Sequence, residues 1–358
     1  MDITIVGDVM NDLFTYSTEL PVVGETILGD IFRSSLGGTG ANQAVAASKL
    51  GAKVSLIATV GADSFGSYCI ESLKKAEIYT GTIRQSTSQN TGVGMIMVNS
   101  RTGENQIVAV LGANDEVAIS DVDHAVQSGK FSQRLFSCQF ESNAKTSLYA
   151  LEKAHSEGIP TLLDPAPGPT PDSPFYHLLP RFLAAATVAS PNEVEASALT
   201  GESIPVFEMN ATSDTILEGT RGALMALRKS GVKYPIITLA VNGAAAVLPA
   251  SEIHRHLPSD IYVSKKKVPQ DTVLIHIKAP SVKEAIDSTG AGDCFTGSLA
   301  FFMSKYPQLS MVEKIRRAVW IATQSVRRCG TQSSYSNRDE LPKSIFYEIE
   351  DFQWPEGD

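Results

Sequence analysis

Apolar residues are distributed along the chain in two patterns. Short unbroken runs recur at Ile3 to Val9, Val54 to Val60, Leu135 to Phe140, Thr161 to Leu163, Val188 to Ser190, Tyr234 to Leu239 and Ala244 to Leu248. Runs of that length without polar alternation predict strands buried on both faces. Between them the spacing becomes helical, from Gly37 to about Leu50, Phe65 to Ala76 and Ala144 to Glu157, with a further start at Pro191-Asn192-Glu193. Phe295, Leu299 and Phe302 mark another helix near the C-terminal end. Strands alternating with helices predict a doubly wound α/β fold, a mostly parallel sheet with helices on both faces.

Two regions depart from this alternation. Ile27 to Phe32 and the stretch from Tyr79 to Val110 read as strands without intervening helices, with Arg101-Thr102-Gly103-Glu104 as a turn. They predict a small separate β-sheet, a lid drawn from about residues 14–36 and 79–112. Ser251 to Val268 has no period and reads as an exposed insertion, about 250–268. The chain beyond Pro342 reads as peripheral.

Composition narrows the function classes. At 358 residues the chain has room for one large α/β domain, and 43% hydrophobic against 19% charged residues suits a substantial core. A net charge of -9 argues against non-specific nucleic-acid binding, and Lys265-Lys266-Lys267 reads as a solvated loop. The four cysteines form no CxxC pair and the histidines no HExxH, with His254 and His256 in a polar segment. Reduced thiols and no cysteine- or histidine-built metal site are therefore expected. Asn210-Ala211-Thr212 matches a glycosylation acceptor by chance, because no secretory signal precedes it; no run reaches transmembrane length. The expectation is a soluble intracellular, cytoplasmic protein.

The candidate chemistry centres on Asp287-Ser288-Thr289-Gly290-Ala291-Gly292-Asp293-Cys294-Phe295. Small residues stand between two carboxylates just before a helix. A helix start presents unpaired N–H groups and about half a positive charge, and glycines let an anion approach the backbone. Asp293 in the first helical turn could be only a dipole partner. Beside a bound phosphate it would serve better as a general base taking a proton from an attacking hydroxyl. Asp12, just after the first strand, is placed to meet a ligand at a strand's carboxyl end, though an ordinary loop aspartate is the plainer reading.

Together with Gly37-Gly38-Thr39-Gly40-Ala41-Asn42, which is neither a Walker A loop nor a dinucleotide fingerprint, the Asp287–Phe295 run resembles the PfkB-type carbohydrate kinases. The likeness spans roughly residues 3 to 340. Asn42 to Ala47 and Gly330 to Tyr335 are similar to the ribose-phosphorylating branch of that family. The resemblance implies transfer of the ATP γ-phosphoryl group to O5 of D-ribose. Another sugar or nucleoside kinase of the same family stays open, as does a catalytically silent binding protein.

The resemblance also implies roles. Asp293 would be the base, with Gly290, Ala291 and Gly292 as the anion hole. Asp12, Gly38, Thr39, Gly40, Asn42 and Glu141 would meet the sugar. Asn192 and Glu195 match an NxxE element that orders Mg²⁺ and phosphate through water, although a helix-start Asn with a capping Glu explains the same spacing. Thr238, Leu239, Ala240, Val241, Asn242 and Gly243 would line the nucleotide. Asp287, Thr289, Ser325, Arg328, Gly330 and Ser334 would surround K⁺, mostly through backbone carbonyls, and a homodimer through the lid is implied. The sequence departs from the family pattern at Thr39, where lysine is usual, at Ala240, where glycine is usual, and at Val319, which replaces an adenine-side polar residue.

Overall fold

The computed structural model describes residues 1–349 except 103, 210, 254–256, 265, 267 and 269–270. Gly103 of the expected turn, Asn210 of the acceptor motif, His254, His256, Lys265 and Lys267 thus lie outside the described residues.

In chain order, β1 (Ile3–Val6), β2 (Met10–Ser17) and β3 (Ile31–Gly37) lead to α1 (Thr39–Lys49). Then come β4 (Val54–Gly61), α2 (Ser64–Lys75), β5 (Ile83–Ser86), β6 (Gly92–Asn99), β7 (Asn105–Val110) and α3 (Ile119–Gln127). The middle of the chain supplies β8 (Phe136–Cys138), α4 (Ala144–Ser156), β9 (Thr161–Leu163), α5 (Leu179–Ala185), β10 (Val188–Ala189), α6 (Glu193–Thr200) and α7 (Ser213–Lys229). The last part holds β11 (Tyr234–Thr238), β12 (Ala244–Pro249), β13 (Ile261–Val263), β14 (Thr272–Ile277), α8 (Ala291–Lys305) and α9 (Met311–Ser325).

Ten strands form one sheet in the order β13-β14-β12-β11-β10-β9-β8-β1-β4-β5. From β11 to β5 every pairing is parallel, so all those carboxyl ends open on one edge. Every residue of β4 is buried, as expected of a parallel strand with helices on both faces. Helix α1 is buried from Gly40 to Ser48, which its alanines permit. A Cβ on Gly297 of α8 would fall 2.6 Å from Gln43 O, so the two helices touch backbone to backbone.

A second sheet, β3-β2-β6-β7, forms the separate small layer. Its membership differs from the sequence reading in three ways. The strand expected at Ile27 to Phe32 is Ile31–Gly37, running straight into Gly38. Met10–Ser17 is a full strand of this sheet, because β2 pairs both β3 and β6. Ile83–Ser86, by contrast, pairs β4 and belongs to the main sheet.

Two segments read as peripheral are built into the body. Within 250–268, β13 pairs β14 antiparallel, and Asp260 takes Arg316 Nε and Nη2 at 2.6 and 2.8 Å. Beyond Pro342, Arg317 donates to the carbonyls of Ile345, Tyr347 and Ile349, and Arg338 lies 4.3 Å over the Phe346 ring. Arg316 and Arg317 are fully buried, and buried guanidinium groups require such partners. Sequence hydropathy conceals this, because an arginine in a helix reads as surface.

Candidate active site

The parallel edge collects the chemistry. Asp8 follows β1, Glu141 follows β8, Asp164 follows β9, Asn192 follows β10, and the 238–243 loop leaves β11. Strand direction alone thus brings residues spread over more than half the chain to one cleft. The N-termini of α1 and α8 close it from the side.

Helix α8 starts at Ala291 behind Gly290, whose φ of 72° is left-handed. The two glycines expected to admit an anion divide the work. A Cβ on Gly290 would fall 2.2 Å from Thr331 Cγ2 and 2.6 Å from Tyr335 Oη, so its missing side chain makes room for protein. A Cβ on Gly292 would meet nothing within 4 Å, so that glycine faces open space. The amide of Ala291 donates to Ser288 O at 3.2 Å, and that of Cys294 closes the first helical bond on Gly290 O. The amides of Gly292 and Asp293 have no backbone acceptor one turn back, as at any helix start.

Asp293 receives a hydrogen bond from Asn42 Nδ2 at 2.8 Å, which ties α8 to α1. Burial pushes the Asp293 carboxyl up to about 7; the Asn42 amide opposes the shift and the charge on Glu141 reinforces it. Asn42 Oδ1 in turn accepts from Gln332 Nε2 at 2.8 Å.

Gly38, with φ of 95°, precedes α1, and Gly40 N donates to Asp8 Oδ1 at 2.8 Å, so Asp8 caps the helix from β1. A Cβ on Gly40 would fall 2.7 Å from the Cα of Gly7, which accounts for that glycine. Thr39 offers its hydroxyl to Glu141, whose Oε2 is buried without a partner. Burial raises the Glu141 carboxyl above its ordinary range, against the help of Thr39. Asp12 is pushed up to about 6 by burial. Cβ atoms on Gly37 and Gly94 would come within 2.0 and 2.5 Å of its oxygens, so both glycines clear space for this carboxylate.

Asn192 and Glu195 form the reciprocal capping box: Glu195 N donates to Asn192 Oδ1 and Asn192 N to Glu195 Oε2, each at 2.9 Å. The Glu195 charge is near enough to raise both Asp164 and Asp293. Thr238 bridges to Asn192, joining the 238–243 loop to this element. In that loop Leu239 is a core residue, Val241 is exposed, and Asn242 O meets His276 Nε2 at 2.6 Å. Ala240, standing where glycine is usual, has φ of 46° and Gly243 has φ of 83°. Val319 is buried in the core on α9.

Among the six residues associated with a monovalent cation, Asp287 joins two turns. Its oxygens accept from Thr289 N at 2.9 Å and Gly330 N at 2.8 Å. Burial opposes its charge, but these hydrogen bonds prevail and hold its carboxyl below the usual range. The Thr289 side chain also meets Asp287, while three others are directed elsewhere: Ser325 to Ala322 O, Ser334 to Thr331 O, and Arg328 to Glu340.

Sequence reasoning missed a buried polar layer beneath the site. Gln43 Nε2 donates to Asp164 Oδ2 at 2.7 Å, Thr296 also reaches Asp164, and Gln139 donates to Gln43 Oε1. Asp164 directly follows β9 and Asp8 lies two residues beyond β1; a place at a strand's carboxyl end is the signal that nominated Asp12, and could have found both. Gln332 and Tyr335 carry no such signal.

The chain matches the model of the pfkB family carbohydrate kinases over residues 1–338, and it belongs to that family. Within the family it is 37% identical to the ribokinase of Mus musculus over 344 residues, 96% of this chain and 94% of that protein. It is 32% identical to the deoxyribokinase of Salmonella typhi, covering 95% and 97%. The structure of Arabidopsis thaliana ribokinase complexed with ribose and ATP superposes with a TM-score of 0.73 at 25% identity, covering 94% and 96%.

Proposed function

We propose that the protein transfers the γ-phosphoryl group of ATP to O5 of D-ribose, giving D-ribose 5-phosphate and ADP. The observation that carries this reading is Asp293, held by Asn42 beside the open face of Gly292. A hydroxyl placed there gives its proton to the Asp293 carboxylate while its oxygen attacks phosphorus and the bond to ADP breaks. The amides of Gly292 and Asp293, at the positive end of α8, face the charge on the transferred group. Gly290 and Ala291 shape that turn. Asp12, Gly38, Thr39, Gly40, Asn42 and Glu141 contact the sugar, and the unpartnered Glu141 oxygen is an acceptor for a hydroxyl.

Thr238 to Gly243 line the nucleotide, with Leu239 contributing backbone only. Asn192 and Glu195 would order Mg²⁺ carried on the phosphates, through water. The donor set suits this, because no three His, Cys, Asp or Glu among the described residues converge as direct ligands, whereas several cleft carboxylates raise one another. When bound, Mg²⁺ offsets phosphate charge. Asp287, Thr289, Ser325, Arg328, Gly330 and Ser334 would surround K⁺ chiefly with carbonyls, and the charged Asp287 suits a cation.

We also propose a homodimer through the lid, and a cytoplasmic location. On one face of the small sheet Phe32, Met95, Val108 and Val110 are exposed together, on the side away from Asp12 by strand alternation. No helix among the described residues is long and apolar enough to cross a membrane.

An ADP-release assay across ribose, deoxyribose, fructose and adenosine tests the activity. Ribose should give the highest kcat/KM. A higher value for deoxyribose or adenosine would reassign the substrate, and no ADP from any of them would end the kinase reading.

A further inference from the structure

Asn42 has an amide whose two ends must be told apart. Its Nδ2 donates to Asp293 Oδ2, and its Oδ1 accepts from Gln332 Nε2, both at 2.8 Å. Turned over, the same amide would present oxygen to the Asp293 carboxylate and NH₂ to the NH₂ of Gln332, two repulsive contacts in place of two hydrogen bonds. Gln332 is itself fixed from behind. Lys49, at the far end of α1 from Asn42, donates to Gln332 O at 2.8 Å and Tyr335 O at 2.9 Å. Tyr335 closes the circuit by donating to Gly290 O at 2.9 Å, at the residue that caps α8.

We infer that Gln332 is a positioning residue for the transfer, acting through Asn42: by donating to Asn42 Oδ1 it fixes which end of that amide meets Asp293. Lys49 and Tyr335 hold the 331–335 segment at the depth this requires. The inference rests on Asp293 being the base. It gives the loop between α9 and the C-terminal segment a part in catalysis without touching substrate.

Substitutions of nearly equal shape and opposite polarity separate this role from packing. Gln332→Leu removes the donor. Gln332→Glu keeps the shape but places an acceptor against Asn42 Oδ1, which forces the amide to turn over. A packing role makes the isosteric Glu variant the milder of the two. Orientation through Asn42 makes it the worse: kcat should fall about 10-fold in Gln332→Leu and about 100-fold in Gln332→Glu, with KM for ATP unchanged. Each is also made in an Asn42→Ala background, where Gln332 has nothing to orient and neither change should cost more than about twofold further. A penalty for Gln332→Glu that persists in that background would mark a general charge effect and overturn the inference. So would a Glu variant at least as active as the Leu variant. Should Gln332→Leu fail to fold, Gln332→Met takes its place with the same expectation. Asp293→Asn is assayed in parallel. If it retains turnover, the base assignment fails; if it loses turnover while the Gln332 variants do not, the relay alone fails.

Discussion

Asn42 and Asp293 are 251 positions apart in the chain and 2.8 Å apart in the structure, amide to carboxylate, each in the opening turns of its own helix. The bond sets the Asp293 carboxylate at the mouth of the cleft. It also opposes the burial that pushes this carboxyl up to about 7, leaving it the anionic character near neutral pH that the proposed base requires.

Replacing Asp293 by Asn should reduce kcat by roughly 10²–10⁴-fold, the usual effect of a positioned base. In the wild type kcat should rise with pH through about 7, as the carboxyl ionises. The sign for stability is opposite. A folded pKa above the unfolded value means the fold binds a proton more tightly, so this contribution is full below the unfolded value of 3.8 and is lost as pH rises through about 7. Asp293→Asn should therefore melt higher than the wild type at pH 8, with the gap narrowing as pH falls. Near-normal turnover, or a melting gap that widens toward acid, would contradict this assignment.

Thr39 leaves Glu141 with a hydroxyl for company and one buried oxygen unpartnered. Thr39→Lys brings an ammonium among several carboxylates that raise one another. It should tighten sugar or ATP binding by roughly fivefold in KM, equivalent to ~1 kcal/mol for a partly exposed pair, with little change in kcat. Unchanged constants would show that the departure at this position is neutral.

The proposed K⁺ site at Asp287 predicts activation by a monovalent cation. With ionic strength constant and Mg²⁺ saturating, K⁺ should support faster turnover than Na⁺ or tetramethylammonium. Asp287→Ala should abolish the difference between salts. Because Asp287 also accepts from Thr289 and Gly330, this variant will lower the rate in every salt, so the ratio between salts is the informative quantity. Equal wild-type rates in all three salts would leave the six residues without a cation to bind.

Ala240 adopts a φ of 46°, a conformation that costs an L-residue roughly 1–2 kcal/mol. Glycine removes that cost but gives the unfolded chain about 0.4–1 kcal/mol of extra freedom. Ala240→Gly should therefore stabilise the protein by ~0.5 kcal/mol in denaturant titrations. A loss of stability would mean that the methyl group makes a contact worth more than the strain.

The exposed apolar face of the lid predicts an elution mass of two chains at micromolar concentration. Phe32→Asp with Val108→Asp should reduce it to one chain without unfolding the main sheet. A wild-type protein that runs as a single chain would rule out the lid interface.

What the sequence determined by itself is set by local rules. Unbroken apolar runs give buried parallel strands because both faces are covered, and Val54 to Val60 and Thr161 to Leu163 were legible on that ground. The glycine-rich entries to α1 and α8 were legible because a helix start that meets an anion needs small residues at fixed spacing. Chain reversal and pairing were not local. Whether Ile27 to Phe32 or Ile31 to Gly37 forms the lid strand depends on register against β2, and Ile83 to Ser86 joined the main sheet because β4 offered an edge. Only the tertiary structure could show that Gly290 yields its space to Thr331 and Tyr335 while Gly292 faces open space. The same holds for Lys49, a polar residue with no motif around it, and for Gln332, whose 330–335 segment the resemblance marks but whose partner it does not. Their roles come from where two distant helices place them, and a hydrogen bond across nearly 300 positions leaves no periodicity in the chain to be read.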